Sequence, residues 1–265
     1  MSHDHLSIKD LSVVYQTRRG TTPAIDRLSV NVGKGEFVAV LGPSGCGKST
    51  LLQIIAGLLR PSSGSASLGG REITSPRHDV GVVFQTPTLL PWKTIFDNVM
   101  MPIAALRLPQ EQYRQRAREL LELVGLEAFA DHYPRELSGG MQQRVSIARG
   151  LIHDPAVLLM DEPFAALDAM TREEMSVELQ SLWLKAKKSI LFITHSIPEA
   201  VFLADRVVVL SSRPARVQEI VDVPLPRPRP MEIMGDPRFG EIANHLRSLF
   251  KPRAQAAVVT AEKTA

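Results

Sequence analysis

Gly42-Pro43-Ser44-Gly45-Cys46-Gly47-Lys48-Ser49 is the stretch whose reading decides the fold. It matches the phosphate-loop pattern at every defined position. Immediately before it, Phe37-Val38-Ala39-Val40-Leu41 is a short apolar run of the kind that forms a strand covered on both faces. Immediately after it, residues 50–58 read as a helix opening with Thr50. Glycines between a buried strand and a helix end let the backbone wrap a triphosphate with its N–H groups inward. The helix N-terminus adds partial positive charge at the same point. In this reading Lys48 reaches the β- and γ-phosphates of ATP and Ser49 holds Mg²⁺.

Outward from the loop, strand and helix patterns alternate. Residues 6–15 alternate apolar and polar with a bulge, residues 17–23 read as a hairpin loop, and residues 24–32 as its second strand. Apolar runs at 80–84, 157–160, 190–194 and 207–210 are strand candidates. Tyr113, Ala117, Leu120, Leu121 and Val124 mark one helix face, closed by Gly125; Met141, Val145, Ala148 and Ile152 mark another. Thr171 with Glu174, and Ser196 with Glu199, have capping-box spacing. Strands alternating with helices predict a mostly parallel α/β sheet. After Val221, Pro224, Pro226, Pro228 and Pro230 interrupt regular structure. A last helix is expected from Asp236-Pro237, with Phe239, Ile242, Leu246 and Leu249 on one side, and then a frayed tail.

Further candidate residues follow the strand candidates. Asp161-Glu162 comes directly after the run at 157–160, where ligands of open α/β sheets sit. Two carboxylates there can divide the work, Asp161 toward Mg²⁺ and Glu162 toward the attacking water. Ser138 caps a helix whose first residues are Gly139 and Gly140, which is either a second anion site or a plain capped helix. His195, at another strand end, is either catalytic or structural. Gln85 follows the run at 80–84 and is a weaker candidate for Mg²⁺ or for sensing the γ-phosphate.

Bulk properties narrow the function classes. Of 265 residues, 31 are Lys or Arg and 28 Asp or Glu, a net charge of +3 with no basic stripe, which argues against nucleic-acid binding. The polar first ten residues lack a signal-peptide core, and no apolar run approaches the ~18 residues of a membrane span. Cys46 is the single cysteine, so no intrachain disulfide is possible. Its place beside Lys48 and a helix N-terminus predicts a thiolate-prone thiol whose alkylation ATP would prevent.

Together these residues resemble the nucleotide-binding subunits of ABC transporters, over roughly residues 6–215. Residues 42–49 and Thr50 look like the Walker A loop, Gln85 the Q-loop glutamine and Ser138-Gly139-Gly140 the signature motif. Asp161 and Glu162 look like the Walker B carboxylates, Ala166-Leu167-Asp168 the D-loop and His195 the switch histidine. Tyr15 stands where the family stacks an aromatic on adenine. The resemblance implies a P-loop NTPase (RecA-like) α/β core with an antiparallel β subdomain (residues 6–35 and 62–85) and a helical signature-motif subdomain (about 90–155). The ATPase domain would then cover 6–220, followed by a Pro-rich segment, a helix and a tail over 221–265. It also implies an ATPase working as a pair, each ATP sandwiched between one copy's loop and the other's signature motif. Met141 and Gly150 depart from the family's commoner Gln and Ala, and Gly150 should cost up to about 1 kcal/mol of helix stability.

Thr88-Leu89-Leu90-Pro91-Trp92, Phe96-Asp97-Asn98-Val99 and Ser211-Ser212-Arg213-Pro214 resemble the nitrate/sulfonate/taurine group of bacterial importers, taurine or an alkanesulfonate favoured. The resemblance then implies permease subunits docked near residues 85–98, a solute-binding protein beyond them, and a peripheral place on the cytoplasmic face of the inner membrane. An exporter subunit, or a soluble ABC-type ATPase acting on ribosomes or DNA, are the alternatives. The latter usually brings two linked cassettes or a coiled-coil insertion, and neither occurs here.

Overall fold

A computed structural model describes residues 4–17 and 20–250. Arg18 and Arg19 of the expected hairpin loop, and the expected frayed tail, lie outside the described residues. Strands β1 (Asp4–Thr17) and β2 (Gly20–Gly33) pair antiparallel, with register shifts between Ile8 and Leu11 where the alternation slips. The second strand starts four residues before the expected Ala24, because the pairing continues to Thr17↔Gly20. With β4 (Ser63–Leu68) and β5 (Arg71–Glu72) they make a four-stranded sheet, ordered β2-β1-β4-β5.

The second sheet holds β3 (Phe37–Leu41), β6 (Val80–Val83), β7 (Val157–Asp161), β8 (Ser189–Thr194), β9 (Arg206–Leu210) and β10 (Val217–Asp222), ordered β10-β9-β3-β8-β7-β6. All neighbours are parallel except β10, which pairs antiparallel with β9. Strand β10 was not read from the sequence, and it ends where the Pro-rich segment begins after Val221. Its half-exposed alternation is that of an edge strand, a weaker pattern than the buried runs.

Strand β3 is buried throughout. Phe37, Ala39 and Leu41 face a helical layer of α2 (Ile95–Ala105), α3 (Gln110–Leu123), α4 (Gly139–Leu151), α5 (Ala169–Ala186), α6 (Ile197–Leu203) and α7 (Pro237–Leu249). Val38 and Val40 face α1 (Lys48–Ile55) and the antiparallel sheet. The period of two along β3 thus divides the core into two layers. Burying a side chain such as Phe37 contributes about 1.5–3 kcal/mol.

Two local expectations change. Asp168, not Thr171, is the N-cap of α5: its carboxylate accepts from the Thr171 backbone N–H at 3.1 Å and from the Thr171 hydroxyl at 2.7 Å. Asp is as good a cap as Thr, and starting three residues earlier gives the helix one more turn. Gly150 lies where α4 approaches β6 and β7. A Cβ there would sit 3.1 Å from the Leu158 methyl and 3.2 Å from that of Val83, so the helix-propensity cost is met by close packing.

The Pro-rich segment is clasped to the core by two arginines. The Arg229 side chain is buried and donates to the carbonyls of Val201, Phe202 and Ala204 at the end of α6, and to those of Val223 and Leu225. Its own backbone is held from both sides by the Gln180 amide. Arg227 lies over the Trp183 ring at 4.3 Å and donates to Asp205.

Candidate active site

Sheet register brings the chemistry together. Leu41 pairs with Thr194, and Asp161 with Ile193, so β3, β7 and β8 end at one level. The glycine loop, Asp161-Glu162 and His195 all emerge there.

Gly47 is the hinge of the loop. Its φ of 126° lies in the left-handed half of the map, and a Cβ would come 2.9 Å from the Ala24 carbonyl oxygen, so a side chain is excluded twice over. Gly47 is also the N-cap of α1, which therefore has no side-chain cap and no acidic residue in its first turn. By contrast α4 is capped by the Ser138 hydroxyl, which accepts from Met141 N–H at 3.3 Å. The uncapped α1 end faces a cavity of about 330 Å³ lined by Ser44, Gly45, Gly47, Lys48, Ser49, Thr50, Glu162 and Arg213. Tyr15 is tied to the edge of that site by a 3.1 Å hydrogen bond between the Tyr15 and Thr50 hydroxyls.

Lys48 is buried, and its ammonium donates to the carbonyls of Gly42 at 2.8 Å and Pro43 at 3.1 Å. The Glu162 carboxylate bridges it to the histidine: Oε1 is 3.5 Å from Lys48 Nζ and Oε2 is 2.9 Å from His195 Nδ1. Glu162 itself has φ of 45°, an unusual value for a non-glycine residue, fixed by its N–H donating to the Ile193 carbonyl. Asp161 lies behind, near the Ser49 hydroxyl. Burial pushes its carboxyl pKa up, the neighbouring Glu162 charge adds to this, and the Ser49 hydroxyl and the Lys48 charge oppose it. A hydroxyl and a half-buried carboxylate near each other suit Mg²⁺, which takes one or two protein oxygens and leaves the rest to phosphate and water.

Cys46 does not behave as its position in the loop suggested. It is buried, its pKa is raised chiefly by that burial, and the Lys48 charge only partly offsets the effect. The side chain belongs to the core on the α1 side of the sheet rather than to the cavity.

Gln85, Ser138, Gly139, Gly140 and Asp168 do not line this cavity. Gly140 packs against Thr171, so the signature-like segment lies on the start of α5. Gln85 is exposed on a segment held from α4: Gln143 donates to the Phe84 carbonyl, and the Arg149 guanidinium to the carbonyls of Pro87 and Thr88. Asn98, fully buried, bonds Leu90, Lys93 and Thr94, and the loop it staples leaves Trp92 71% exposed. Arg213 is the cavity residue that sequence reading missed as a site residue. It was legible only as part of a subgroup pattern, because its approach depends on Ala215 pairing with Ala24 and Ile25 beside Gly47.

Comparison with known proteins agrees with this geometry. Residues 25–165 match the family model described as ABC transporter. The chain is 46% identical to the taurine import ATP-binding protein TauB of Rhizobium johnstonii over 251 residues, covering 92% of this chain and 96% of that one. It is 44% identical to the nitrate import ATP-binding protein NrtD of Synechocystis sp. over 255 residues, 94% of this chain and 96% of that one. It is equally 44% identical to the bicarbonate transport ATP-binding protein CmpD of Synechococcus elongatus over 248 residues, 92% of this chain and 89% of that one. Among solved structures, the dimeric post-hydrolysis state of the ATP-binding cassette MJ0796 bound to ADP and Pi superposes with a TM-score of 0.71 at 32% identity, covering 82% of this chain and 98% of that one. Matched in sequence along nearly its whole length and in structure over 82% of it, the chain belongs to the ABC transporter family, as an ATP-binding subunit and ATPase.

Proposed function

We propose that the chain powers a bacterial-type importer for a small anion, taurine or another alkanesulfonate ahead of nitrate or bicarbonate. One observation carries the hydrolytic part of the reading: a single carboxylate, Glu162, stands between Lys48 and His195 at the mouth of the phosphate-loop cavity. Lys48 exchanges its loop carbonyls for the β- and γ-phosphate oxygens of ATP. The N–H groups at the start of α1 take the rest of the phosphate charge. Ser49 and Asp161 would hold Mg²⁺, which when bound would neutralise developing charge on the phosphates. Glu162 orients water in line with the γ-phosphorus and accepts its proton. The P–O bond to ADP breaks as the bond from water forms, leaving ADP and phosphate. His195 holds the Glu162 carboxylate and the γ-phosphate in register, and Tyr15 stacks on adenine. Gln85 reports the γ-phosphate to the docking surface.

Ser138, Gly139, Gly140 and Asp168 act on the ATP held by a second copy or a homologue, which is consistent with their lying outside this chain's own cavity. The permease subunits dock near residues 85–98. There Trp92 is exposed, and a cavity of about 230 Å³ is lined by Val82, Phe84, Thr88, Met101, Arg149 and His153 among others. None of the helices among the described residues is long and apolar enough to cross a membrane, so attachment to the cytoplasmic face would come from those subunits. The solute-binding protein acts through them, and no nucleic acid is involved.

Glu162→Gln tests the hydrolytic reading. ATP binding persists, a closed dimer accumulates on gel filtration with ATP, and phosphate release falls by at least about 10²-fold. Wild-type turnover in that variant would remove Glu162 from the role. Cargo is decided by uptake of labelled taurine, nitrate and bicarbonate in cells carrying or lacking the gene. Uptake of nitrate or bicarbonate alone would overturn the sulfonate preference.

A further inference from the structure

His195 stands between two residues tied to Glu199, Thr194 through the buried Glu199 carboxylate and Ser196 through the Glu199 backbone N–H. The Thr194 hydroxyl donates to Glu199 Oε2 at 2.6 Å, and the Ser196 N–H donates to that same hydroxyl at 3.0 Å. Ser196 in turn caps α6, its hydroxyl accepting from the Glu199 N–H. The Glu199 side chain is therefore not the returning arm of a capping box, although the spacing predicts one. It turns inward, where it is buried to 7% exposure beside a Thr194 that is 1% exposed.

The other carboxylate oxygen, Oε1, faces Arg172 Nε at 3.5 Å. Arg172 reaches the other way as well, its Nη2 donating to the Leu167 carbonyl at 2.9 Å. Leu167 precedes Asp168, the cap of α5, and Thr171 beside Arg172 packs on Gly140. A continuous polar chain thus runs from the 167–168 turn through Arg172, Glu199 and the Thr194 hydroxyl to the peptide N–H that follows His195. Burial pushes the Glu199 carboxyl pKa up, opposed by the Thr194 bond and the Arg172 and His195 charges. A group so costly to bury gives α6 nothing that an apolar residue would not give.

We propose that Glu199 and Arg172 are positioning residues for hydrolysis, holding His195 against Glu162 only while the 167–168 turn keeps the arrangement that Arg172 grips. The proposal rests on the reading of His195 and Glu162 given above. Because the 167–168 turn lies beside the signature-like segment, the arrangement of that surface is felt at the hydrolytic carboxylate through side chains of one chain.

Single-turnover phosphate release from the full-length protein, with ATP affinity measured separately, tests this. Glu199→Gln lowers the hydrolysis rate about tenfold or more, leaves ATP affinity within about twofold, and does not lower the melting temperature. Arg172→Met does the same, and Arg172→Lys recovers part of the rate. On a His195→Ala background the Glu199→Gln change costs less than about twofold further, because the two act through one contact. The same fold-loss on both backgrounds overturns the proposal, as does a rate loss that tracks falling melting temperature or ATP affinity. If Glu199→Gln does not fold, the cycle of Arg172→Lys with His195→Ala separates the same two outcomes. A wild-type rate in His195→Ala alone would strike down the reading of His195, and the proposal with it.

Discussion

Lys48 and Arg229 are both cations buried to 5% exposure or less, yet they are bound in different ways. Arg229 is held by five backbone carbonyls and, among the described residues, donates to no carboxylate. Burial, with the neighbouring Arg227 charge adding to it and Asp205 opposing, pushes its pKa down to about 10. Those carbonyls belong to the end of α6 and to the chain after β10, where helix and strand leave them unpaired. Lys48 is held by two carbonyls of its own loop and a longer contact to Glu162. Its loop partners can be exchanged for phosphate oxygens without unpacking anything. A buried cation whose donors close off backbone ends holds structure, and one whose donors rest on a flexible glycine loop waits for a ligand.

The sharpest way to break this contrast is to remove each cation. Arg229→Met should cost about 3–5 kcal/mol in denaturant unfolding, since it strands buried carbonyls, while the folded fraction binds ATP as wild type does. Lys48→Met should reverse the pattern. ATP affinity measured by fluorescent-nucleotide competition should fall by about 10²-fold or more, the loss of one aimed donor, with stability within about 1 kcal/mol of wild type. If either variant lost stability and affinity together, the two cations would not differ in kind.

Gln180→Ala sharpens the structural side. It removes both amide bonds to the Arg229 backbone but leaves the guanidinium, so a loss of about 1–2 kcal/mol is expected without effect on hydrolysis. Arg213→Ala sharpens the ligand side. The exposed guanidinium at the cavity rim should add only a few-fold to ATP affinity, about 0.5–1 kcal/mol, and more at low salt. The smallest effect concerns Cys46. Because burial raises its pKa, the thiolate fraction at pH 7.5 is below that of a free cysteine. Alkylation by iodoacetamide should be slower than that of glutathione at that pH, and should accelerate as pH rises. Labelling faster than glutathione at pH 7.5 would restore the thiolate-prone reading that the loop sequence suggests.

The same division, between local pattern and distant packing, separates what was legible in the sequence from what was not. The phosphate loop, the Asp161-Glu162 pair, Ser138-Gly139-Gly140 and His195 are short motifs beside short apolar runs, and their spacing is local. The Thr171 cap was misjudged by the same local reasoning, and at Gly150 that reasoning saw only half of the balance. Helix propensity takes no account of Leu158 and Val83 packed on Gly150, and capping-box spacing does not exclude a better cap three residues earlier. Arg229 and the inward turn of Glu199 had no local pattern, and Arg213 stood in one that said nothing of the cavity.

The sequence by itself determined that a strand, a glycine loop and a helix follow one another at residues 37–58, and that carboxylates and a histidine end two other buried strands. Such patterns depend on backbone conformation over a few residues and on burial with a period of two or near four. Only the tertiary structure decided which strand ends meet. The order β3-β8-β7 sets Glu162 between Lys48 and His195, and the same packing turns the Cys46 side chain into the core and brings Arg213 to the cavity. Distances between segments a hundred residues apart are fixed by sheet register and side-chain packing, and neither is written in any one stretch of chain.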